Sequence, residues 1–186
     1  MTRLSSALIL ASVAGFAACG ADSGIAKATN PNVVDTFTVA SLVGGALQAP
    51  SAYSIATNNV VRTYETISFD FAYTTDAAGR HLFLPLAVLG LSPGTALKPG
   101  LLKATTDFDA TTKAPQNDYI TTDTVVVDSG EVYFVRTTAI CVDQGVPQYG
   151  KLQIIATDPV AHTLTFQALA DNNCGYRGLN VGIPRE

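Results

Sequence analysis

Ile67-Ser68-Phe69-Asp70-Phe71-Ala72-Tyr73-Thr74 alternates apolar with mostly polar residues. Successive side chains of a strand point to opposite faces, so this period puts Ile67, Phe69, Phe71 and Tyr73 on one side. The stretch predicts a strand laid over a core with its other face turned to water. The same pairing of like residues recurs downstream, in Val132 with Phe134, in Leu152 with Ile154 and Ala156, and in Leu164 with Phe166 and Ala168. Val, Ile, Thr, Tyr and Phe are frequent, and these side chains suit a pleated surface. No segment holds a long helical repeat, although Gly100–Thr106 is compatible with one helical turn.

Turn residues punctuate the strand-like runs. Asp76-Ala77-Ala78-Gly79 separates Glu65–Thr75 from Arg80–Leu89, and Asp158-Pro159-Val160-Ala161 separates Lys151–Thr157 from His162–Leu169. Asp128-Ser129-Gly130 separates Thr122–Val127 from Glu131–Thr138, with Gly130 supplying a positive φ. These three are expected to be hairpins. Earlier strands are expected over Val33–Leu42 and within Ala52–Tyr64, broken near Asn58-Asn59. Ser92–Asp118 carries Pro93, Pro99 and Pro115 and predicts a long loop or irregular edge. Eight or nine short strands of this kind predict an all-β fold, an antiparallel β-sandwich of immunoglobulin-like architecture, with a small β-barrel as the alternative. The Cys…Trp…Cys mark of true immunoglobulin domains is absent, because the chain has no Trp.

Composition agrees. The chain has 186 residues, 47% of them hydrophobic and 14% charged, with 15 Gly, 9 Pro and 3 Cys. That is too apolar for a disordered chain and too poor in Gly, Pro and Cys for collagen or a disulfide-dense mini-protein. The formal charge is −4, from 11 Lys plus Arg against 15 Asp plus Glu, which argues against nucleic acid as a partner.

The N-terminus has a different character. Met1-Thr2-Arg3 precedes an apolar run, Leu4–Ala18, that is interrupted by Ser5, Ser6, Ser12 and Gly15. One positive charge before a short hydrophobic run is the pattern of a secretory signal, and the run falls short of the ~20 residues that span a bilayer. It ends in Phe16-Ala17-Ala18-Cys19, which resembles the lipobox of bacterial lipoproteins, with Phe16 where that family usually has Leu. The resemblance implies removal of residues 1–18 and lipidation of Cys19; Gly20 behind it implies an outer-membrane destination. Gly20–Asn32 is small and polar, so residues 19–32 are expected to be a lipidated Cys and flexible tether, and residues 33–186 a single β-sandwich domain. Loss of Arg3 deepens the formal charge of the remaining chain to −5.

Export leaves Cys141 and Cys174 in an oxidising compartment, where a disulfide is the leading expectation. A bridge closing a loop of that size stabilises by about 3–4 kcal/mol.

Chemistry-bearing patterns are sparse. Gly90-Leu91-Ser92-Pro93-Gly94 matches G-x-S-x-G, but Pro93 lacks the N–H that the nucleophile elbow uses, and no helix follows. The two histidines, His81 and His162, each open a strand after a turn, and no Ser or Cys is marked out as a partner. Asp107-Phe108-Asp109 with Asp118 begins a calcium-loop pattern, yet Thr112 stands where an EF-hand needs Gly. A looser calcium site from these hard oxygen ligands stays open. Asp123, Asp128 and Asp143 read as turn and edge residues. Seven tyrosines (53, 64, 73, 119, 133, 149 and 176) could furnish a ligand platform, although strand tyrosines commonly pack. Arg177 beside Cys174 reads as a solvated charge or a partner for a carboxylate.

The expectation is therefore a lipid-anchored cell-envelope protein, periplasmic or on the outer membrane. It would be a non-enzymatic binding or assembly module with an envelope protein as its partner. No cofactor, metal site or catalytic residue is expected. The alternatives are a small-ligand or carbohydrate-binding module using the tyrosines, and a hydrolase using His81 or His162.

Overall fold

A computed structural model describes residues 25–92, 94–141 and 145–185. The signal segment and lipobox, Cys19 included, lie outside them, as do Pro93, Asp143 and Glu186. The strands are β1 Val34–Ala40, β2 Ala52–Ser54, β3 Asn59–Val61, β4 Phe71–Thr75, β5 His81–Pro85, β6 Gly100–Lys103, β7 Val125–Val126, β8 Val132–Arg136, β9 Tyr149–Asp158 and β10 Thr163–Asp171. They form two antiparallel five-stranded sheets, ordered β1-β10-β9-β8-β6 and β3-β2-β4-β5-β7. The sheets face each other as a β-sandwich and do not close into a barrel.

Two of the three expected hairpins form. β4 pairs with β5 from Thr75↔His81, around the Asp76–Gly79 turn, and β9 pairs with β10 from Asp158↔Thr163. In both turns an Asp side chain accepts two backbone N–H groups: Asp76 from Ala78 and Arg80, and Asp158 from Val160 and Ala161. The third turn is different. β7 pairs with β5, while β8 pairs with β6 and β9, so Asp128–Gly130 carries the chain from one sheet to the other. Gly130 has the positive φ expected (84°), but it turns a corner between layers. Gly100–Lys103 is a strand, not a helical turn, because Leu101 faces the core and exchanges backbone hydrogen bonds with Ile120.

Three apolar layers explain why the alternation is only partly right. The central one, between the sheets, includes Tyr53, Phe71, Tyr73, Phe83, Tyr133, Leu152, Ile154, Leu164 and Phe166. A second lies outside the first sheet, where Val132, Phe134, Tyr149 and Leu169 are covered by Phe108, Tyr119 and Leu179. A third lies outside the other sheet, where Ala52, Phe69 and Ala72 are covered by Leu86 from the 3₁₀ turn Leu86–Leu89. The face of β4 expected to meet water is thus covered, and Asp70, Ala72 and Thr74 are buried. Val132 and Phe134 share a face as expected, but it is the outer one; Tyr133 and Val135 point between the sheets. Ala156 leaves the phase of Leu152 and Ile154 because the register slips between Thr165 and Phe166, with Ile155 unpaired in a β-bulge. Strand β4 begins at Phe71, leaving Ile67 half exposed.

Where β9 crosses Ile55, only glycine fits. A Cβ on Gly150 would stand 2.3 Å from Ile55 Cδ1 and 2.9 Å from the Leu169 carbonyl oxygen. Overpacking of this kind destabilises by about 1–3 kcal/mol. Gly150→Ala is expected to lower the urea midpoint accordingly, and an unchanged midpoint would contradict the packing described.

Candidate functional site

The fold starts earlier than residue 33. Residues 25–32, expected to belong to the tether, are held against the C-terminal loop. Asn173 does most of the holding. Its Oδ1 accepts the N–H groups of Thr29 (2.9 Å) and Asn30 (3.0 Å), and its Nδ2 donates to the Asn30 carbonyl (2.8 Å). An amide side chain is suited to this because it both donates and accepts. Asp171 Oδ1 in turn accepts the Asn173 backbone N–H and Nδ2, fixing its orientation. Asn32, 1% exposed, exchanges backbone hydrogen bonds with Gly182 and donates from Nδ2 to Gly178 O. Residues 19–24 of the expected tether lie outside the described residues.

This seam borders a groove of about 950 Å³. Lys27 and Ala28 form one wall, Thr112 and Lys113 the other, and the C-terminal segment from Tyr176 to Arg185 runs through it. Backbone pairing sets the walls: Ala114 donates to Arg177 O and Leu179 to Thr112 O, both at 2.8 Å. Among the described residues the lining holds three cations, Lys27, Lys113 and Arg185, and no carboxylate. Val181 and Ile183 form an exposed apolar rim. Tyr176 Oη accepts the Ala28 N–H at 3.2 Å, and its own proton has no acceptor among the described residues.

Cys174, two residues before Tyr176 of the groove, pairs with Cys141. The two sulfurs lie within bonding distance in the geometry of a disulfide, with Cα atoms 5.8 Å apart, across a separation of 33 residues. The bridge joins the loop after β8 to the one after β10, where Gly175 also donates to Pro147 O. Arg177 is not simply solvated, since its Nη1 donates to Ala114 O at 3.3 Å.

The other candidates are taken up by folding contacts. His81 Nδ1 lies 2.8 Å from the Tyr73 hydroxyl, and the rings stack at 6.0 Å. His162, at φ 53°, covers Gly44, whose added Cβ would meet its ring at 3.0 Å. Among the described residues no Ser or Cys hydrogen-bonds to either ring. Ser92 is exposed, and its Oγ accepts the Gly94 N–H. In the acidic loop, Asp107 Oδ1 caps its own turn by accepting the Ala110 N–H. The carbonyls of Phe108 and Thr111, hard oxygens of the kind calcium takes, accept instead from Lys151 Nζ at 2.6 and 2.9 Å. Lys151 is 4% exposed and also sits 4.3 Å over the Phe108 ring. The chain supplies its own cation there. Among the described residues no three His, Cys, Asp or Glu gather as a metal set. A tyrosine platform does not form: Tyr53, Tyr73, Tyr119, Tyr133 and Tyr149 are buried in the cores, and only Tyr64 and Tyr176 reach the surface appreciably.

Sequence reasoning gave no sign of two buried carboxylates. Asp70 lies at the edge of a cavity of about 250 Å³ and accepts the Ile55 N–H at Oδ2, 2.7 Å. Burial pushes its pKa up to about 7, against the pull of that N–H. Burial likewise raises Asp171 to about 6, opposed by Asn173 and Asn32, and its Oδ2 has no hydrogen-bond partner among the described residues.

No protein-family model matches the chain, and no curated protein matches its sequence.

Three outcomes follow from this geometry. First, Asn173→Ala should release residues 25–32: amide exchange of Thr29 and Asn30 should accelerate at least about tenfold, one lost hydrogen bond being worth ~1 kcal/mol or more. Unchanged exchange would deny Asn173 this role. Second, thiol titration of the native protein should find Cys141 and Cys174 unreactive until a reductant is added. Third, Asp70 and Asp171 carry folded pKa values above the unfolded 3.8, so the native state keeps protons that the unfolded chain has lost. Their contribution to stability is full below about pH 4, falls as pH rises toward 7, and is flat above. Asp70→Asn should flatten the loss of stability between about pH 4 and 7 in urea unfolding, and an unchanged slope would exclude it as the source.

Proposed function

We propose that the chain is a lipid-anchored cell-envelope protein whose β-sandwich serves as a non-enzymatic binding or assembly module for an envelope partner. The anchor rests on the sequence Phe16-Ala17-Ala18-Cys19 and its resemblance to a lipobox. The binding role is supported chiefly by the groove of about 950 Å³ that lies beside the N-terminal segment leading from Cys19. The non-enzymatic part is supported by the fate of the side chains that chemistry would need. His81 is bound to Tyr73, and Lys151 to two carbonyls. General acid–base catalysis would need such groups aimed at a substrate.

The small-ligand alternative retains one favourable observation. Asp70 presents a carboxyl to a small cavity, with Oδ1 unbonded among the described residues, a setting for a ligand that donates a hydrogen bond.

The anchor is tested on the protein purified from membranes of a bacterial host. Mass spectrometry should find a mature N-terminal peptide beginning at Cys19 and carrying acyl chains. Cys19→Ser should abolish acylation and membrane retention; retention unchanged would refute the anchor. The binding role is tested by crosslinking the anchored wild type in its native envelope. A discrete crosslinked adduct is the expected result, and no adduct above background would count against it.

A further inference from the structure

The groove between the chain ends is cationic on an acidic protein. Fifteen acids outnumber eleven bases overall, yet among the described residues Lys27, Lys113 and Arg185 line one concavity with no carboxylate in its walls. The ion pairs among the described residues lie elsewhere: Arg62 with Glu65, Arg80 with Asp76, and Lys103 with Glu131. Glu186, next after Arg185, lies outside the described residues.

The groove is also amphipathic. Val181 is 71% and Ile183 50% exposed on its rim, and the adjoining cavity around Val181 adds Val34 and one carboxylate, Asp109. Cations beside exposed apolar side chains suit the headgroup boundary of a bilayer, where the charge meets phosphate and the apolar groups enter the acyl edge.

Chain length fixes where this face can be. Ile25 is six steps along the chain from Cys19 and is already packed against Gly175. An extended chain gains at most about 3.6 Å per residue, so Ile25 stands within roughly 22 Å of the anchored Cys. Lys27, two residues further, is held within about 30 Å.

We infer that this groove recognises phosphate and seats an anionic lipid headgroup, so that the domain lies on the bilayer with the Lys27–Arg185 groove turned to it. The inference rests on the lipid-anchor reading for the source of the phosphate. Arg185 offers a fork of donors matched to two phosphate oxygens, and the lysines add point charges. The free Tyr176 proton adds a neutral donor beside them. A zwitterionic headgroup brings its own cation against the lysines and is disfavoured.

The test uses the full-length protein in a nonionic detergent. Short-chain phosphatidylglycerol, short-chain phosphatidylcholine and inorganic phosphate are titrated separately, and the amide resonances of Lys27, Lys113 and Gly178 are followed. Phosphatidylglycerol should shift them saturably, at least about tenfold more tightly than phosphatidylcholine. Each charge removed should weaken binding about fivefold, so the triple variant K27Q/K113Q/R185Q should lose the response while keeping its disulfide and urea midpoint. An equal response to both lipids, or none, would overturn the inference, as would a folded triple variant that binds like wild type. Inorganic phosphate binding as tightly as phosphatidylglycerol would overturn the lipid assignment in favour of a free oxyanion. The mass of the Cys19 peptide from the same preparation reports the anchor independently. Acylated Cys19 with no headgroup response removes the groove and leaves the anchor, and the converse result removes the anchor alone.

Discussion

Phe166 is the contact on which the two sheets depend. It projects from β10 and meets Phe37 on its own sheet and Tyr53, Phe71 and Phe83 on the other, with ring centroids 5.3 to 6.4 Å apart. Tilted and edge-on pairs at such distances each contribute about 0.5–1.5 kcal/mol beyond the burial of their surface. The chain has no Trp to fill this space. Several medium rings interlock where one large ring could otherwise stand, and Gly150 removes a side chain so that Ile55 can reach the same layer.

The outer layers follow from that arrangement. Strands such as β4 and β8 expose apolar side chains on both faces, so each sheet must be covered twice. The long segment between β6 and β7 covers one sheet through Phe108 and Tyr119, and the 3₁₀ turn after β5 covers the other through Leu86. Covering a sheet with loop brings unpaired backbone carbonyls inward. Lys151 answers this by reaching from β9 to the carbonyls of Phe108 and Thr111. Burial lowers its pKa, while Asp107 and Asp109 favour its charge. A cation that looks out of place in the middle of a strand thereby closes the loop that looked like a calcium site.

Local chemistry made part of this plain in advance. The β4–β5 and β9–β10 hairpins were readable because each turn starts with an Asp whose side chain accepts the turn's own amides. The 128–130 turn has equally good residues, but a positive φ at Gly130 serves a corner between sheets as well as a hairpin. Only the partners of β7 and β8, set by packing, distinguish the two. Residues 25–32 misled for a related reason. They are small and polar, as a tether would be, and their order comes from Asn173, 143 residues or more away in sequence. The groove was invisible for the same cause, since Lys27, Lys113 and Arg185 come together only when both chain ends dock. Asp70 sits on the polar side of the very alternation that revealed β4. Nothing in its spacing tells that this side would be covered.

The groove's sign matters more than the protein's net charge. At physiological ionic strength the Debye length is about 8 Å, so charges on the far end of the sandwich are screened from anything bound at the chain ends. A body of formal charge −4 is then no obstacle to an anion, provided that the nearest fixed charges are cationic. Several carboxylates have local partners or are buried: Asp76 and Asp158 accept amides in their own surface turns, Glu131 pairs with Lys103, and Asp70 and Asp171 are buried. Asp171 also joins the two halves of the argument. It orients Asn173, Asn173 fixes residues 29 and 30, and those place Lys27 on the groove wall. The cationic face is therefore built by an acid held in the seam behind it, and it exists only while the N-terminal segment stays docked.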